Sequence, residues 1–358
     1  MIKAQIIHRE FDYRRPATTS RGTYTRKSVY FILLHHDGEP EIKGIGECSL
    51  FPGLSFDDVG DFPGKLNQVV EQINRGEYDF EKPLYQFPSI EFALETALAD
   101  LDKKGRKVLY PSDFTDGKDT IRINGLIWMG NRMDMEKQIS EKLEQGFGCL
   151  KMKIGAIDFD QELDVLTQIR NTFPPSVLEL RVDANGAFSP AEAKEKIKRL
   201  SDLSIHSIEQ PIRQGQKNEM EKLCEKPAVP VALDEELIGV YSKNKKKELL
   251  EKIRPQFIIL KPGLLGGTRA CEQWMETARN LDIGWWITSA LETNIGLNAI
   301  AQWTYTLGNK MPHGLSTGAL FENNITSPLL LKSENLYYDQ SRAWDLSIFK
   351  TRTHESIG

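Results

Sequence analysis

Charged residues recur at a nearly regular interval along the middle of this chain, each at the end of a short strand-like run. The interval is about 25 to 30 residues, roughly what one strand, one helix and two loops occupy in an eight-fold (β/α) barrel. The strand ends of such a barrel meet at one mouth, where its chemistry takes place. The pattern therefore predicts that five side chains converge there: Lys153, Asp183, Glu209, Asp234 and Lys261.

The order of strand-like and helix-like runs predicts an α/β protein built on a TIM-like barrel. From Thr120 onward the two kinds of run alternate in seven units, and KMPHGLSTG is a candidate eighth strand. We assign residues 116–318 to this barrel. Residues 1–115 read as a separate α+β domain with a hairpin and two amphipathic helices. The tail, residues 319–358, is expected to pack back on that first domain.

Composition argues against several other classes of protein. A net charge of −5 and a pI near 5.8 do not suit a general nucleic-acid binder, and the lysine run at 243–247 is expected to be a solvated helix face. The four cysteines form no CxxC pair, which disfavours structural zinc and a disulfide framework. With no signal-like or membrane-spanning apolar run, we expect a cytoplasmic protein that acts on a small molecule, without nucleic-acid or membrane partners; its oligomeric state stays open.

The three acids at the predicted mouth point to a metal ion. Carboxylates gathered in an apolar cup are costly unless a cation lies among them. Oxygen ligands from successive strands suit Mg²⁺, with Mn²⁺ left open, whereas the thiolate or imidazole ligands of zinc are absent. We therefore expect Asp183, Glu209 and Asp234 to be metal ligands. Taken one at a time, each acid could instead belong to a turn, a core ion pair or a helix N-terminus.

The lysines of the pattern suit proton transfer. Lys151 and Lys153 are two apart on one predicted strand, so both side chains face the same way. A neighbouring ammonium and a nearby metal ion both favour the neutral amine, the form that acts as a general base. By strand order, Lys261 lies across the barrel from Lys153. A Schiff-base aldolase that uses Lys261 as nucleophile is an alternative, but it leaves the acids unexplained. A barrel that binds a ligand without catalysis is a weaker one.

The motifs that contain these residues resemble a known family. The KxK of LKMKIG, the acids of RVDANG, SIEQP and ALDEE, and the lysine of ILKPGLLGG are similar to those of the muconate-lactonising subgroup of the enolase superfamily. The resemblance covers nearly the whole chain. It implies a modified (β/α)7β barrel with an N-terminal α+β capping domain. It also implies Mg²⁺ chemistry on a carboxylate substrate.

Within the subgroup, TSALETNIGLNAIAQ followed by GLSTG is most similar to members that dehydrate a succinyl-bearing cyclohexadiene carboxylate in menaquinone biosynthesis. The resemblance makes Lys153 the base and acid of a syn elimination, Lys261 the electrostatic stabiliser and Lys151 the residue that tunes Lys153. Arg181, Asn185 and Ser289 become candidate substrate contacts. The segments RRPATTSRGT and CSLFPGLS are expected to be loops that close over the barrel mouth.

Related activities of the subgroup stay open at this point. ITSALE lacks the histidine that mandelate-racemase-like members place on the seventh strand, and KMPHGLSTG lacks the Asp-x-Asp of dipeptide epimerases. N-succinylamino acid racemisation and muconate-type cycloisomerisation would use the same charged residues. The alternatives to dehydration within the subgroup are therefore these two.

Overall fold

The structure is a computed structural model that describes residues 1–19 and 22–350. The strands are β1 (Ile2–Thr19), β2 (Gly22–His36), β3 (Glu39–Cys48), β4 (Ile121–Arg122), β5 (Gly125–Ile127), β6 (Cys149–Lys153), β7 (Glu179–Asp183), β8 (Ser207–Glu209), β9 (Val231–Leu233), β10 (Phe257–Leu260), β11 (Gly284–Ile287), β12 (Leu329–Lys332) and β13 (Asn335–Tyr338). The helices are α1 (Phe62–Arg75), α2 (Pro88–Asp102), α3 (Arg132–Glu144), α4 (Phe159–Thr172), α5 (Pro190–Leu200), α6 (Lys217–Glu225), α7 (Lys243–Ile253), α8 (Pro262–Leu265), α9 (Gly267–Arg279) and α10 (Asn294–Thr306).

Strands β5 to β11 form one parallel sheet in sequence order, as a barrel requires. Isolated parallel bridges from Thr288 to Gly314 and from Ile123 to His313 join its last strand to its first. The predicted eighth strand is thus reduced to two bridges around His313 and Gly314. With the antiparallel sheet at the N-terminus, this arrangement confirms the predicted barrel-type α/β fold.

Alternation along each barrel strand sorts its side chains between the barrel interior and the helix layer. In β7, Leu180 and Val182 join the apolar core cluster, and Asp183 lies on the opposite face. The parallel ladder pairs Lys153 with Asp183, and Asp183 with Glu209. The charged strand ends therefore lie side by side at one level of the barrel.

The N-terminal sheet has the antiparallel order β1-β2-β3. Helix α2 packs so closely on β3 that added Cβ atoms at Gly44 and Gly46 would lie 2.0 and 1.8 Å from the carbonyl oxygens of Ala97 and Ala93. The glycines of KGIGEC are therefore needed for this contact. Helix α1 begins at Phe62, with a proline in its first turn.

The chain after the barrel contacts both parts of the protein. Strand β13 pairs with β4, while Phe321 and Phe349 pack beside Phe11 and Phe31 of the N-terminal sheet. The predicted domain limits at 115/116 and 318/319 stay a prediction. Residues 351–358 of the predicted tail lie outside the described residues.

One of the two predicted mouth loops is mostly strand. Strand β1 runs to Thr19, and β2 starts at Gly22. The ladder between these two strands has a register shift after Asp12 and resumes with the pair Ala17 and Tyr24. The prediction of a loop over RRPATTSRGT is therefore wrong for its described part; Ser20 and Arg21 lie outside the described residues. The backbone hydrogen bonds of a long hairpin outweigh the turn-like composition of this segment. Within the described ranges, no helix has both the length and the apolar character to cross a membrane.

Candidate active site

A cavity opens at the carboxyl ends of the barrel strands, beneath the N-terminal sheet. Its polar wall includes Lys151, Lys153 and Asp183 on one side and Lys261 on the other. Apolar side chains from both parts of the protein cover the rest, among them Phe51, Leu54, Leu126, Trp128 and Leu291. A largely apolar pocket with a few converging charged groups is the usual form of a small-molecule site.

The two lysines of β6 share the carboxylate of Asp183. The Nζ of Lys151 is 3.2 Å and that of Lys153 is 3.1 Å from Asp183 Oδ2. Lys151 also donates to Glu209 Oε2 at 2.8 Å, and Lys153 to the Asn185 amide oxygen at 2.5 Å. Lys153 therefore has one carboxylate and one amide acceptor, whereas Lys151 has two carboxylate acceptors.

Lys261 occupies the far side of the cavity, directly after β10. Its ammonium forms a hydrogen-bonded ion pair with Asp234, and its side chain is 13% exposed. Gly266 and Gly267 form the tight turn between α8 and α9. Gly267 has a φ of +90°, and a Cβ there would lie 1.9 Å from Glu95 Oε2, which accepts a hydrogen bond from the Thr268 N–H at 2.8 Å.

Burial and charge pull the ionisation of these groups in opposite directions. Burial raises the pKa of Glu209 to about 8, and the nearby charge of Asp183 adds to this rise. Burial would also raise the pKa of Asp183, but the ammonium groups of Lys153 and Lys151 outweigh it and hold this pKa below its ordinary value. Burial lowers the pKa of Lys151. The charges of Glu209 and Asp183 outweigh burial and raise this pKa above its ordinary value, so Lys151 stays charged.

Glu235 is a buried site residue that the strand-end pattern of the sequence does not include. It lines the cavity and is 3% exposed. Its Oε1 accepts from the Asn185 amide nitrogen at 3.0 Å, which turns the amide oxygen of Asn185 towards Lys153. The acidic run DEE marks this part of the sequence as a candidate site, but only the burial of Glu235 distinguishes this residue from a solvated glutamate.

Asn185 and Ser289 line the cavity, whereas Arg181 does not. The guanidinium of Arg181 donates to Glu179 Oε1 at 2.7 Å and to the Pro312 carbonyl at 2.9 Å, and it stacks on Trp286. Arg181 lies two residues before Asp183 on the same strand. Its side chain therefore fills the barrel interior one layer deeper, and the prediction that it contacts the substrate is wrong.

The acids at the mouth include oxygens that a metal ion could satisfy. Glu209 Oε1 and Glu235 Oε2 are buried oxygens without a hydrogen-bond partner. Such atoms are costly unless a ligand satisfies them. Over residues 1–19 and 22–350, no three acidic, histidine or cysteine side chains form a closed metal-binding cluster, because lysines bridge the acids. The donors are the oxygens that a hard divalent ion prefers, so the residues fit such an ion.

The charge count agrees with this fit. In and beneath the cavity lie the carboxylates of Asp183, Glu209, Asp234 and Glu235, opposed by three lysines. A divalent cation would offset the excess of carboxylates and would favour the ionised form of Glu209.

The barrel and its charged mouth define a class of protein. The chain belongs to the enolase superfamily: the family described as "Enolase C-terminal domain-like" matches residues 134–337. Membership implies dependence on a divalent metal ion.

Individual relatives show which enzymes of this superfamily the chain is similar to. The chain is 48% identical to an o-succinylbenzoate synthase of Desulfotalea psychrophila, over 92% of this chain and 97% of the relative. A crystal structure of MenC from the same organism has a TM-score of 0.78 at 43% identity, covering 94% of this chain and 99% of that one. An L-Ala-D/L-Glu epimerase of Bacillus subtilis, solved with its substrate, has a TM-score of 0.80 at 18% identity, with coverage of 94% and 95%; it supports the fold alone.

Proposed function

We propose that this protein is a Mg²⁺-dependent lyase. It would convert 2-succinyl-6-hydroxy-2,4-cyclohexadiene-1-carboxylate to o-succinylbenzoate by syn dehydration in menaquinone biosynthesis. One observation supports the chemistry most: Lys153 and Lys261 line one cavity from β6 and from the end of β10, and a row of carboxylates lies between them. The 48% identical relative supports the choice of substrate.

Asp183, Glu209 and Asp234 would hold the metal ion. A divalent cation there supplies electrophilic stabilisation of the substrate carboxylate, which makes its α-proton more acidic. The acids end three adjacent strands, and Glu209 offers an oxygen without another partner. We propose Mg²⁺ because all three donors are carboxylate oxygens.

Lys153 would transfer the proton in both halves of the reaction. As the neutral amine, its Nζ takes the α-proton, and the electrons of the C–H bond pass onto the substrate carboxylate to give an ene-diolate. These electrons then form the new ring double bond as the C–O bond breaks. The ammonium so formed then gives its proton to the departing hydroxyl, which leaves as water. One base on one face accounts for a syn elimination, and the Asn185 amide oxygen 2.5 Å away holds the base in place.

Lys261 would stabilise the negative charge that develops on the substrate carboxylate after proton removal. A fixed ammonium in a buried site contributes more to such stabilisation than one in water. Lys151, which stays bonded to Asp183 and Glu209, would keep a positive charge close to Lys153 and so favour its neutral form. Ser289 would contact the part of the substrate that does not react.

The Schiff-base alternative is disfavoured by the surroundings of Lys261. A nucleophilic lysine must be a free amine. Burial lowers the pKa of Lys261, but the charges of Asp234 and Glu209 outweigh burial and hold this pKa above its ordinary value, so Lys261 stays an ammonium. Racemisation of an N-succinylamino acid could use the same two lysines, so it is the activity that the experiment must separate from dehydration.

We further propose the domain limits given by the sequence, with residues 1–115 as the capping domain and 116–318 as the catalytic barrel, and a cytoplasmic location. The location is supported by four cysteines that are all buried free thiols, as a reducing compartment favours.

Formation of o-succinylbenzoate from its hydroxycyclohexadiene precursor tests the proposal. The purified full chain should catalyse it with Mg²⁺ and lose the activity when EDTA is added. Activity without a divalent metal would contradict the proposal. Metal-dependent α-deuterium exchange of an N-succinylamino acid, with no dehydration, would move the function to a racemase.

A further inference from the structure

A buried lysine of the N-terminal sheet reaches the barrel mouth at a distance from the proposed proton-transfer groups. Lys27, in β2, is 4% exposed. Its ammonium donates to the carbonyl oxygens of Ala290 at 2.9 Å and Leu291 at 2.7 Å. Both residues belong to the loop after β11 and form part of the cavity wall, whereas Lys27 does not. Lys27 therefore binds this loop on the side that faces away from the cavity.

The loop that Lys27 holds has a strained backbone. Leu291 has a φ of +62°, in the left-handed region that a bulky side chain rarely adopts. The Glu292 side chain folds back and accepts from the Ala290 N–H at 2.5 Å, and Ser289 Oγ is 2.6 Å from Thr317 Oγ1. Such a conformation persists only when its surroundings determine it. The Lys27 ammonium is a contact from the N-terminal sheet that binds the backbone of this loop directly.

The acids around Lys27 explain why a charged group is kept in this place. Glu292 lies close enough to interact electrostatically with Lys27, as does Glu47 of β3. Glu47 accepts hydrogen bonds from the N–H groups of Thr293 and Gly296, both at 2.8 Å, at the start of α10. Removing a buried ammonium would leave two carboxylates without compensation and two carbonyls without a donor. The side chain thus joins the two domains through the loop.

We propose that Lys27 is a specificity-determining positioning residue. By fixing the carbonyl groups of Ala290 and Leu291, it sets the wall against which the non-reacting part of the substrate packs. The inference rests on the proposed function for the identity of that substrate. The wall is apolar at Ala290, Leu291 and the neighbouring Phe51, so it fits a ring or an alkyl arm better than a charged group. Lys27 itself touches neither the substrate nor the reacting atoms.

The test compares Lys27→Met, Lys27→Arg and the neighbouring Arg26→Met in the full chain. Arg26 is the matched control because it is exposed and pairs with Asp12. Amide hydrogen exchange is measured for residues 288–293 without ligand, and kcat and KM are measured for the dehydration. In Lys27→Met we expect loop exchange to be faster by about tenfold or more. We also expect KM to rise about tenfold with a smaller change in kcat, since Lys153 and Lys261 are untouched.

Lys27→Arg keeps a charged donor and should restore both quantities to within about threefold, and Arg26→Met should resemble the wild type. Unchanged loop exchange in Lys27→Met would overturn the proposal, as would a fall in kcat at constant KM. If Lys27→Met does not fold, Lys27→Gln, which keeps a donor but no charge, replaces it in the same comparison. A wild type without dehydration activity would refute the proposed function, while the exchange measurement would still test Lys27.

Discussion

Replacing Lys261 by methionine removes the ammonium opposite Lys153 but keeps the length of the side chain. The site is buried, so an effective dielectric constant of about 20 applies rather than the 80 of water. A unit charge about 4 Å from the charge that develops on the substrate then contributes about 4 kcal/mol. Each 1.36 kcal/mol of barrier is a factor of ten in rate. We therefore expect kcat to fall about 10³-fold in Lys261→Met.

The assay follows product formation by absorbance at saturating Mg²⁺. Lys261→Arg keeps the charge and should be at least about ten times faster than Lys261→Met. Lys246→Met is the matched control. Contrary to the solvated face predicted for the run at 243–247, Lys246 is buried, and it is bonded to the Ala270 carbonyl and to Gln273 outside the cavity. Its kcat should stay within about twofold of the wild type.

Two results would refute this reasoning. A kcat for Lys261→Met within tenfold of the wild type would mean that the ammonium does not stabilise the transition state. Equal loss in Lys261→Arg and Lys261→Met, with borohydride trapping of a carbonyl compound on the wild type, would instead indicate a nucleophilic lysine.

Three further predictions concern the metal, the domain contact and pH. Glu209→Gln should weaken Mg²⁺ binding about 100-fold in calorimetry, since it removes one anionic ligand; unchanged affinity would exclude Glu209 as a ligand. Glu47→Gln should lower the free energy of unfolding, measured in urea, by about 2 kcal/mol, because an amide cannot accept all the hydrogen bonds that Glu47 accepts at the start of α10. A loss below about 0.5 kcal/mol would contradict this prediction. Burial raises the pKa of Asp57 to about 6. The native state therefore holds this proton after the unfolded chain has lost it, so the free energy of unfolding falls as pH rises from about 4 to 6. In Asp57→Asn this contribution to the pH dependence should be absent. A pH profile identical to that of the wild type would contradict the prediction.

The regular part of the site could be predicted from sequence because it follows from the repeat. Each strand–helix unit of similar length returns the chain to the same level of the barrel, so charged residues at successive strand ends must become neighbours. The ladder that pairs Lys153 with Asp183 and Asp183 with Glu209 is the physical form of that spacing. The barrel fold follows from the same pattern.

The depth of a side chain in the barrel and the contacts between distant parts of the chain could not be predicted from the repeat. Arg181 shares the inward face with Asp183, but alternation gives the face of a residue and not its distance from the mouth. Glu235 looks like solvated charge until its burial is known. Lys27 meets its two carbonyl acceptors across more than 260 residues of chain, a contact without any local pattern.

In the proposed reaction Lys153 both takes and returns the proton. This role is tested by kcat for o-succinylbenzoate formation, with saturating Mg²⁺, in the wild type and in Lys153→Ala. We expect metal-dependent turnover in the wild type and a loss of at least about 10⁴-fold in the variant, since both proton transfers disappear. A folded, metal-binding Lys153→Ala variant that retains turnover within about tenfold of the wild type would contradict it.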